Sequence, residues 1–331
     1  MGKIKQFWSK YKSYIFLLII VILALTVFLP ELDSLKQSFQ AVKDADLSWL
    51  IFGQIVFFLG LPILAWQFLV IAIKKIEFWL TYRVEMASLF VSKLFPSSLG
   101  TFALNYYYLT VKKHTNLQAA SVMAINAATS AIAYIFIIAF AILFDKGNLT
   151  QANVTTTINW KNIFIAMGIV ILLAFVSLIF KKIRQKVGKS LKEFMKTIAV
   201  YKDRKKDVFM ATFLNFAGSL TSLFALWASA HSLGIDISLS QALVAYVLGN
   251  IIGGLVPTPG GIGAVEAGVY SGLLLIGVSS SEALTVTLIY RFLTYWVPIA
   301  PGYYYFWTLR KDVLKSFSFK TNDIKKIGQT A

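Results

Sequence analysis

The sequence predicts an all-α polytopic membrane protein with about six full spans, two broken or re-entrant helical hairpins and an inverted internal repeat. Three observations carry this reading. First, 57% of the 331 residues are hydrophobic and 14% charged, with a mean hydropathy of +0.69; soluble domains carry about 25% charged residues. Second, apolar stretches long enough to cross a hydrocarbon core of about 30 Å recur from end to end. Third, 26 of the 32 Lys and Arg fall in the N-terminus, 74–83, 112–113, 181–206 and the C-terminus, alternating along the chain as cytoplasmic loops do. The net charge of +17 is therefore a matter of topology and does not call for nucleic acid. Residues 1–331 read as a single multi-pass domain of the cytoplasmic (inner) membrane, with both termini cytoplasmic.

The elements follow in order. Lys3, Lys5, Lys10 and Lys12 precede an apolar run over 13–29. No small-residue cleavage site follows, so the run reads as a retained span rather than a signal peptide. The acid-rich segment 30–47 lies outside. A span over 48–73 returns to Lys74 and Lys75. Residues 86–111 are apolar but interrupted by Phe95-Pro96-Ser97-Ser98-Leu99-Gly100. Each arm is ten or eleven residues, about 15 Å of helix, which predicts a hairpin re-entering the side it came from. Spans over 118–144 and 162–180 lead to the linker 181–206. There Ile183, Val187, Leu191, Phe194 and Ile198 recur at helical spacing among basic residues, as expected of a cytoplasmic amphipathic helix lying on the leaflet. A span over 208–231, a second broken segment over 241–276 and a last span over 282–308 complete the chain. The segment 241–276 is equally compatible with two short tilted spans.

The second break is the most informative stretch: Val256-Pro257-Thr258-Pro259-Gly260-Gly261-Ile262-Gly263, followed by Glu266. Irregular backbone at membrane depth is tolerated only where protein buries it or it lines a cavity. Setting Pro96 on Pro257 places Gly100 on Gly261, Ala103 on Ala264 and Asn105 on Glu266. The repeat units are 48–144 and 208–308, and the charge pattern inserts their hairpins from opposite sides. Inverted repeats with broken helices at matching positions point to a midplane transport site.

Ionisable residues inside spans are expensive and need a partner or water. Three stand out: Lys93, Glu266 and Arg291. Opposite charge and similar depth predict a Glu266–Arg291 pair that gates a cavity, frees Arg291 to bind a lipid phosphate, or stays fixed and locks the second unit. Lys93 is a second candidate anion contact; the alternative is a lysine snorkelling to the interface. Asn105 and Asn250 add polar atoms at depth, more often used in helix–helix hydrogen bonds than in ligand contacts. Tyr106-Tyr107-Tyr108 and Tyr303-Tyr304-Tyr305 read as interface belts. With no cysteine and only His114 and His231, no metal site is expected. No phosphate-binding lysine loop or catalytic constellation is present, so neither a cofactor nor a catalytic residue is expected.

The runs Phe95-Pro96-Ser97-Ser98-Leu99-Gly100 and Pro257-Thr258-Pro259-Gly260-Gly261-Ile262-Gly263 with Glu266, then Tyr290-Arg291 and Pro301-Gly302, resemble the lysylphosphatidylglycerol synthetase transmembrane-region family. That family is the flippase-like membrane half of the multiple peptide resistance factor. The resemblance covers about 10–310. It implies movement of an anionic phospholipid or lipid-linked substrate between leaflets, and no lipid synthesis, because no aminoacyl-transferase domain follows in this sequence. Val265 stands where the family usually has a basic residue. Leu99 and Asn105 stand where it often has a glycine and a charge. Two other functions fit the sequence: a non-transporting scaffold subunit of a cell-envelope synthase, and a membrane-embedded head-group transferase. The partners expected are anionic membrane lipids, with a homodimer and a cell-envelope biosynthetic enzyme as further possibilities.

Overall fold

The computed structural model describes residues 32–43, 45–95, 99–144, 195–196, 198–256 and 258–309. The expected spans over 13–29 and 162–180 lie outside these residues, as does most of the linker 181–206. Among the described residues the protein is all-helical.

The helices are α1 Leu32–Lys43, α2 Leu47–Ile71, α3 Phe78–Leu94, α4 Leu99–Val111, α5 Asn116–Phe144, α6 Lys205–His231, α7 Leu239–Leu255, α8 Ala264–Leu275 and α9 Ser280–Arg291. The last continues through a π-helical turn, Phe292–Trp296, as one apolar helix to Leu309. Four helices are long and apolar enough to span a membrane: α2, α5, α6 and the Ser280–Leu309 helix. They coincide with four of the six expected spans.

The breaks fall where the prolines and glycines put them, but the arms differ from expectation. The first arm is α3, 17 residues beginning at Phe78 rather than at 86. Charged Arg83 and Glu85 concealed its first turns. The helix runs through them because Glu85 turns inward, where it is buried. The second break separates α7, 17 residues, from α8, 12 residues. Both 17-residue arms start and stop 161 positions apart (78 to 239, 94 to 255). The segment 30–47, expected to lie outside, contains α1. Its Ala41 and Val42 pack with Leu50 of α2 and with Ile289 and Leu293 of the last helix.

The centre is an antiparallel α2–α6 pair. At one end the Asp46 N–H donates to the Ser232 carbonyl, 2.7 Å. At the other, the Tyr201 hydroxyl donates to Ile71 O at 2.5 Å, and Arg204 donates to Val70 O at 2.8 Å and Ala72 O at 3.0 Å. Small residues let the backbones approach, which is how helices associate in lipid without a hydrophobic driving force. A Cβ on Gly53 would meet Ala228 Cβ at 3.1 Å, and one on Gly218 would meet Leu64 Cδ2 at 2.9 Å. Hairpin α3–α4 packs on α2, and hairpin α7–α8 on α6 and α5. Tyr108 is a correction to the belt reading: it is buried, with its hydroxyl 2.7 Å from Thr81 Oγ1.

The α7–α8 hairpin is closed by glycines. A Cβ on Gly268 would lie 2.5 Å from Leu248 O and 2.6 Å from Gly249 Cα, and Gly272 meets Ala245 in the same way. Gly268→Ala is therefore expected to cost about 1–3 kcal/mol through overpacking. Gly254→Ala, with nothing within 4 Å of the new methyl, stays within about 0.5 kcal/mol of wild type. Thermal unfolding of the detergent-solubilised variants reads both.

His114 fastens two basic turns. Its Nε2 accepts the Lys74 N–H at 3.0 Å and its Nδ1 lies 3.1 Å from Leu109 O, so the neutral ring carries its proton on Nδ1. Burial, the largest influence, holds its pKa below the usual histidine value. The native state thus binds fewer protons at this site than the unfolded chain. Its contribution is present above pH ~6.5 and lost as pH falls below it. In melts from pH 8 to pH 5, His114→Gln is expected to flatten this part of the acid-side loss of stability.

Candidate functional site

The two breaks meet. The Gly260 N–H donates to the Phe95 carbonyl at 3.4 Å, joining the tip of one hairpin to the other. Gly260, Gly261 and Gly263 have φ of +62°, +72° and +75°, a region that L side chains rarely occupy. At Gly260 the absence of a side chain is doubly required: a Cβ there would sit 2.7 Å from the Tyr295 ring and 3.3 Å from Lys93 Cα.

Glu266 lies in the first turn of α8, where the helix dipole favours a carboxylate. Arg291 closes the α-helical part of the last helix. Its Nε donates to Glu266 Oε1 at 2.6 Å and its Nη2 to the Gly260 carbonyl at 3.3 Å. The arginine is 5% exposed. A single guanidinium therefore binds both the acid after the break and the bare backbone within it.

The π-helical turn supplies the next residue. Pro298 offers no N–H to the carbonyl four residues earlier, and its ring crowds that carbonyl. Val297 instead donates to Phe292 O, five residues back. Within this turn lies Tyr295, 1% exposed. Arg291 Cζ is 4.4 Å from the Tyr295 ring centroid, and Lys93 Nζ is 4.5 Å from it. Two cations thus face one aromatic ring, an attraction that strengthens when desolvated. Lys93 is buried rather than snorkelling outward.

Basic and acidic groups do not balance. Lys93 and Arg291 bring two basic side chains to this cluster and Glu266 one acid. Glu266 Oε2 and Thr258 Oγ1 are buried without a hydrogen-bond partner. Beside Glu266, an open groove of about 320 Å³ runs between α8 and the last helix, lined by Ala267, Tyr270, Leu284, Thr287 and Leu288. One wall of the cluster is polar, and the groove leading from it is apolar.

The structure thus brings together Lys93, Gly260, Glu266 and Arg291, with Pro259, Gly261 and Gly263 shaping the turn. Pro96 and Pro257 lie outside the described residues. Gly100 admits the first turn of α4 against α3, its Cβ position being 2.6 Å from Val91 O. Asn105 is fully buried and turns its amide toward the Glu85 carboxylate. Asn250 is turned away to the Tyr246 carbonyl of its own helix, 2.9 Å. Tyr295 and Glu85 escaped the sequence reading. Tyr295 follows Arg291 by four residues, one helical turn, and that spacing was the available signal. Among the described residues, no group of three or more His, Cys, Asp or Glu could hold a metal.

Comparison with known proteins agrees with this architecture. The lysylphosphatidylglycerol synthase TM region family matches residues 14–302. A UPF0104 membrane protein of Methanothermobacter thermautotrophicus is 25% identical over 122 residues, 37% of this chain and 36% of the relative. Relatives of the same description from Methanocaldococcus jannaschii and Pyrococcus horikoshii are 24% and 26% identical, over 39% and 37% of this chain. The chain spans 36–39% of the length of these relatives.

Removing one member of a buried ion pair strands the other, at about 3–5 kcal/mol, whereas removing both can be nearly neutral. Arg291→Met and Glu266→Gln are each expected to lower the unfolding midpoint. The double variant is expected to recover much of the loss. A double-mutant cycle on thermal stability measures the coupling.

Proposed function

Because this chain belongs to the lysylphosphatidylglycerol synthase TM region family, we propose that it is a flippase-like transporter. Its substrate is an anionic phospholipid or lipid-linked molecule, moved between leaflets of the cytoplasmic membrane without chemical change. The observation that carries this reading is the buried excess of basic side chains over acids where the two helix breaks meet. Lys93 and Arg291 flank Tyr295 with one carboxylate between them. A buried charge without a full counter-charge is costly. A phosphate oxygen entering the cluster supplies that counter-charge and forms charge-assisted hydrogen bonds.

The role of each group follows. Arg291 binds the phosphate bidentately and loosens its hold on Glu266 as it does so. Lys93 contributes a point charge from the opposite hairpin, so the bound phosphate bridges the two units. Glu266 holds Arg291 in the unloaded state and keeps it from locking onto the Gly260 carbonyl alone. The apolar groove between α8 and the last helix accommodates the first part of an acyl chain, while the remainder stays in lipid.

Access from alternate sides rests on the repeat. Two features support an inverted pair of units: the exact register of α3 and α7 over 161 residues, and the antiparallel packing of α2 on α6. Rocking one unit against the other would open the junction of the breaks to each leaflet in turn, with both termini in the cytoplasm.

Proteoliposomes test this directly. Full-length protein is expected to translocate a fluorescent phosphatidylglycerol faster than fluorescent phosphatidylcholine. Lys93→Ala and Arg291→Ala should each lower the rate at least about tenfold, the loss of one charge-assisted contact. Tyr295→Phe, which keeps the ring between the cations, should retain it. Equal rates for anionic and zwitterionic lipid, or indifference to both charge removals, would remove the basis of the reading.

A further inference from the structure

The acid of the second hairpin, Glu266, is paired with Arg291 of the last helix. The buried acid of the first hairpin has no such partner among the described residues. Glu85 in α3 is 6% exposed and Oε1 is buried without a hydrogen bond. Ser88, one turn further along the same face, is 4% exposed, and its hydroxyl lacks a partner. Asn105, across the hairpin on α4, is fully buried and turns its amide toward the Glu85 carboxylate. Three oxygen-bearing side chains thus lie in one hairpin, with Glu85 Oε1 and the Ser88 hydroxyl unpartnered and no cation among the described residues paired with the carboxylate.

Among the described residues, the helices packed on this hairpin bring no positive charge to Glu85. α2 and α4 contain no charged residue. On the last helix, which meets α3 where Gly302 approaches the Met86 carbonyl and Phe90 N, Glu282 and Arg291 are the charged residues between Ser280 and Leu309, and Arg291 is held by Glu266. On α3 itself, Arg83 is two positions away, which on a helix is another face. Lys93 is eight positions away, about 12 Å along the axis, over Tyr295. The remaining titratable neighbours are Tyr108, on Thr81, and Tyr82 with Tyr305. Among the described residues, no ion pair includes Glu85.

An isolated carboxylate in a low-dielectric interior costs several kcal/mol, and among the described residues no paired cation offsets it. We propose that Glu85, Ser88 and Asn105 form a site for one exchangeable monovalent cation, H⁺ or Na⁺, which neutralises Glu85. Carboxylate, hydroxyl and amide carbonyl oxygens are the hard donors that Na⁺ takes. Alternatively, a proton on Glu85 makes it a donor to the Asn105 carbonyl oxygen. Binding of this cation does not depend on the transport reading. Its use as the coupling ion of transport rests on that reading.

The test uses the full chain in nanodiscs, followed by intrinsic fluorescence during heating. One arm varies NaCl against choline chloride at fixed pH and ionic strength. The other varies pH without Na⁺. A Na⁺ site raises the midpoint with Na⁺ by mass action. A proton site raises it as pH falls, by a few degrees per pH unit, opposite in sign to the His114 effect, so the pH arm is run on His114→Gln. Glu85→Gln, which keeps shape and polarity without the charge, is expected to abolish whichever response appears. Infrared difference spectra of the wild type on changing Na⁺ or pH provide a second measurement, independent of how well the variant folds. The carboxylate or carboxylic-acid bands of one buried Glu should change with the ion that binds. No response to either ion, or a response unchanged in Glu85→Gln, overturns the proposal. Failure of lipid translocation alongside intact ion binding would count against the transport reading only.

Discussion

A guanidinium sealed inside a membrane protein must find its partners within the fold, and the organisation around Arg291 follows from that constraint. It has two at hand, the Glu266 carboxylate and the Gly260 carbonyl. One belongs to the helix after the break and the other to the break itself. The irregular backbone between α7 and α8 would otherwise leave polar groups unsatisfied in hydrocarbon. The same interaction thus neutralises a charge, satisfies a carbonyl and sets the last helix against the second hairpin. Tyr295 extends this to the first hairpin by giving Lys93 and Arg291 a shared aromatic face.

The remainder of the fold serves to bring two breaks to one place. Glycine contacts draw α2 and α6 together, and each carries its own hairpin, so the tips converge where Phe95 and Gly260 bond. Polar groups away from that junction are mostly resolved locally. Asn215 donates to Thr129 between α6 and α5 at 2.9 Å, and Thr and Ser hydroxyls return to carbonyls of their own helices. Against this background the buried atoms without a partner stand out: the Gln54 and Gln67 amides on α2, Thr258 Oγ1 and Glu266 Oε2 at the junction, and Glu85 Oε1 with the Ser88 hydroxyl in the first hairpin.

Much of this was legible in the sequence, and the physics explains which parts. Long apolar runs have few alternatives in a bilayer, so α2, α5, α6 and the last helix are placed within a few residues. Lys93, Glu266 and Arg291 were conspicuous because a charge inside an apolar stretch carries a large penalty, and the structure pairs the two opposite ones. Glu85 carries the same penalty but stood next to a basic cluster, where it passed for loop. α1 was hidden because its acids spoke for topology while its helical face is short. Tyr295 is one aromatic among 15% of the chain, and its position one helical turn after Arg291 was the single cue to its place. The close contacts of Gly268 and Gly272 depend on the facing helix, which no local pattern reveals.

The antiparallel pairing of α2 and α6 also bears on biogenesis. α2 ends at Ile71 and α6 begins at Lys205, so α2 leaves the ribosome well before its partner exists. At about 5–20 residues per second the wait is roughly 7–27 seconds. Throughout it, the face bearing Gly53 and Gly60 contacts lipid rather than Gly218 and Ala228. The junction of the breaks cannot form until the last helix arrives with Arg291. Until then Glu266 has no arginine and Lys93 no ring. The junction between the two hairpins is thus the last part to be locked, and it waits on the helix that carries Arg291 and Tyr295.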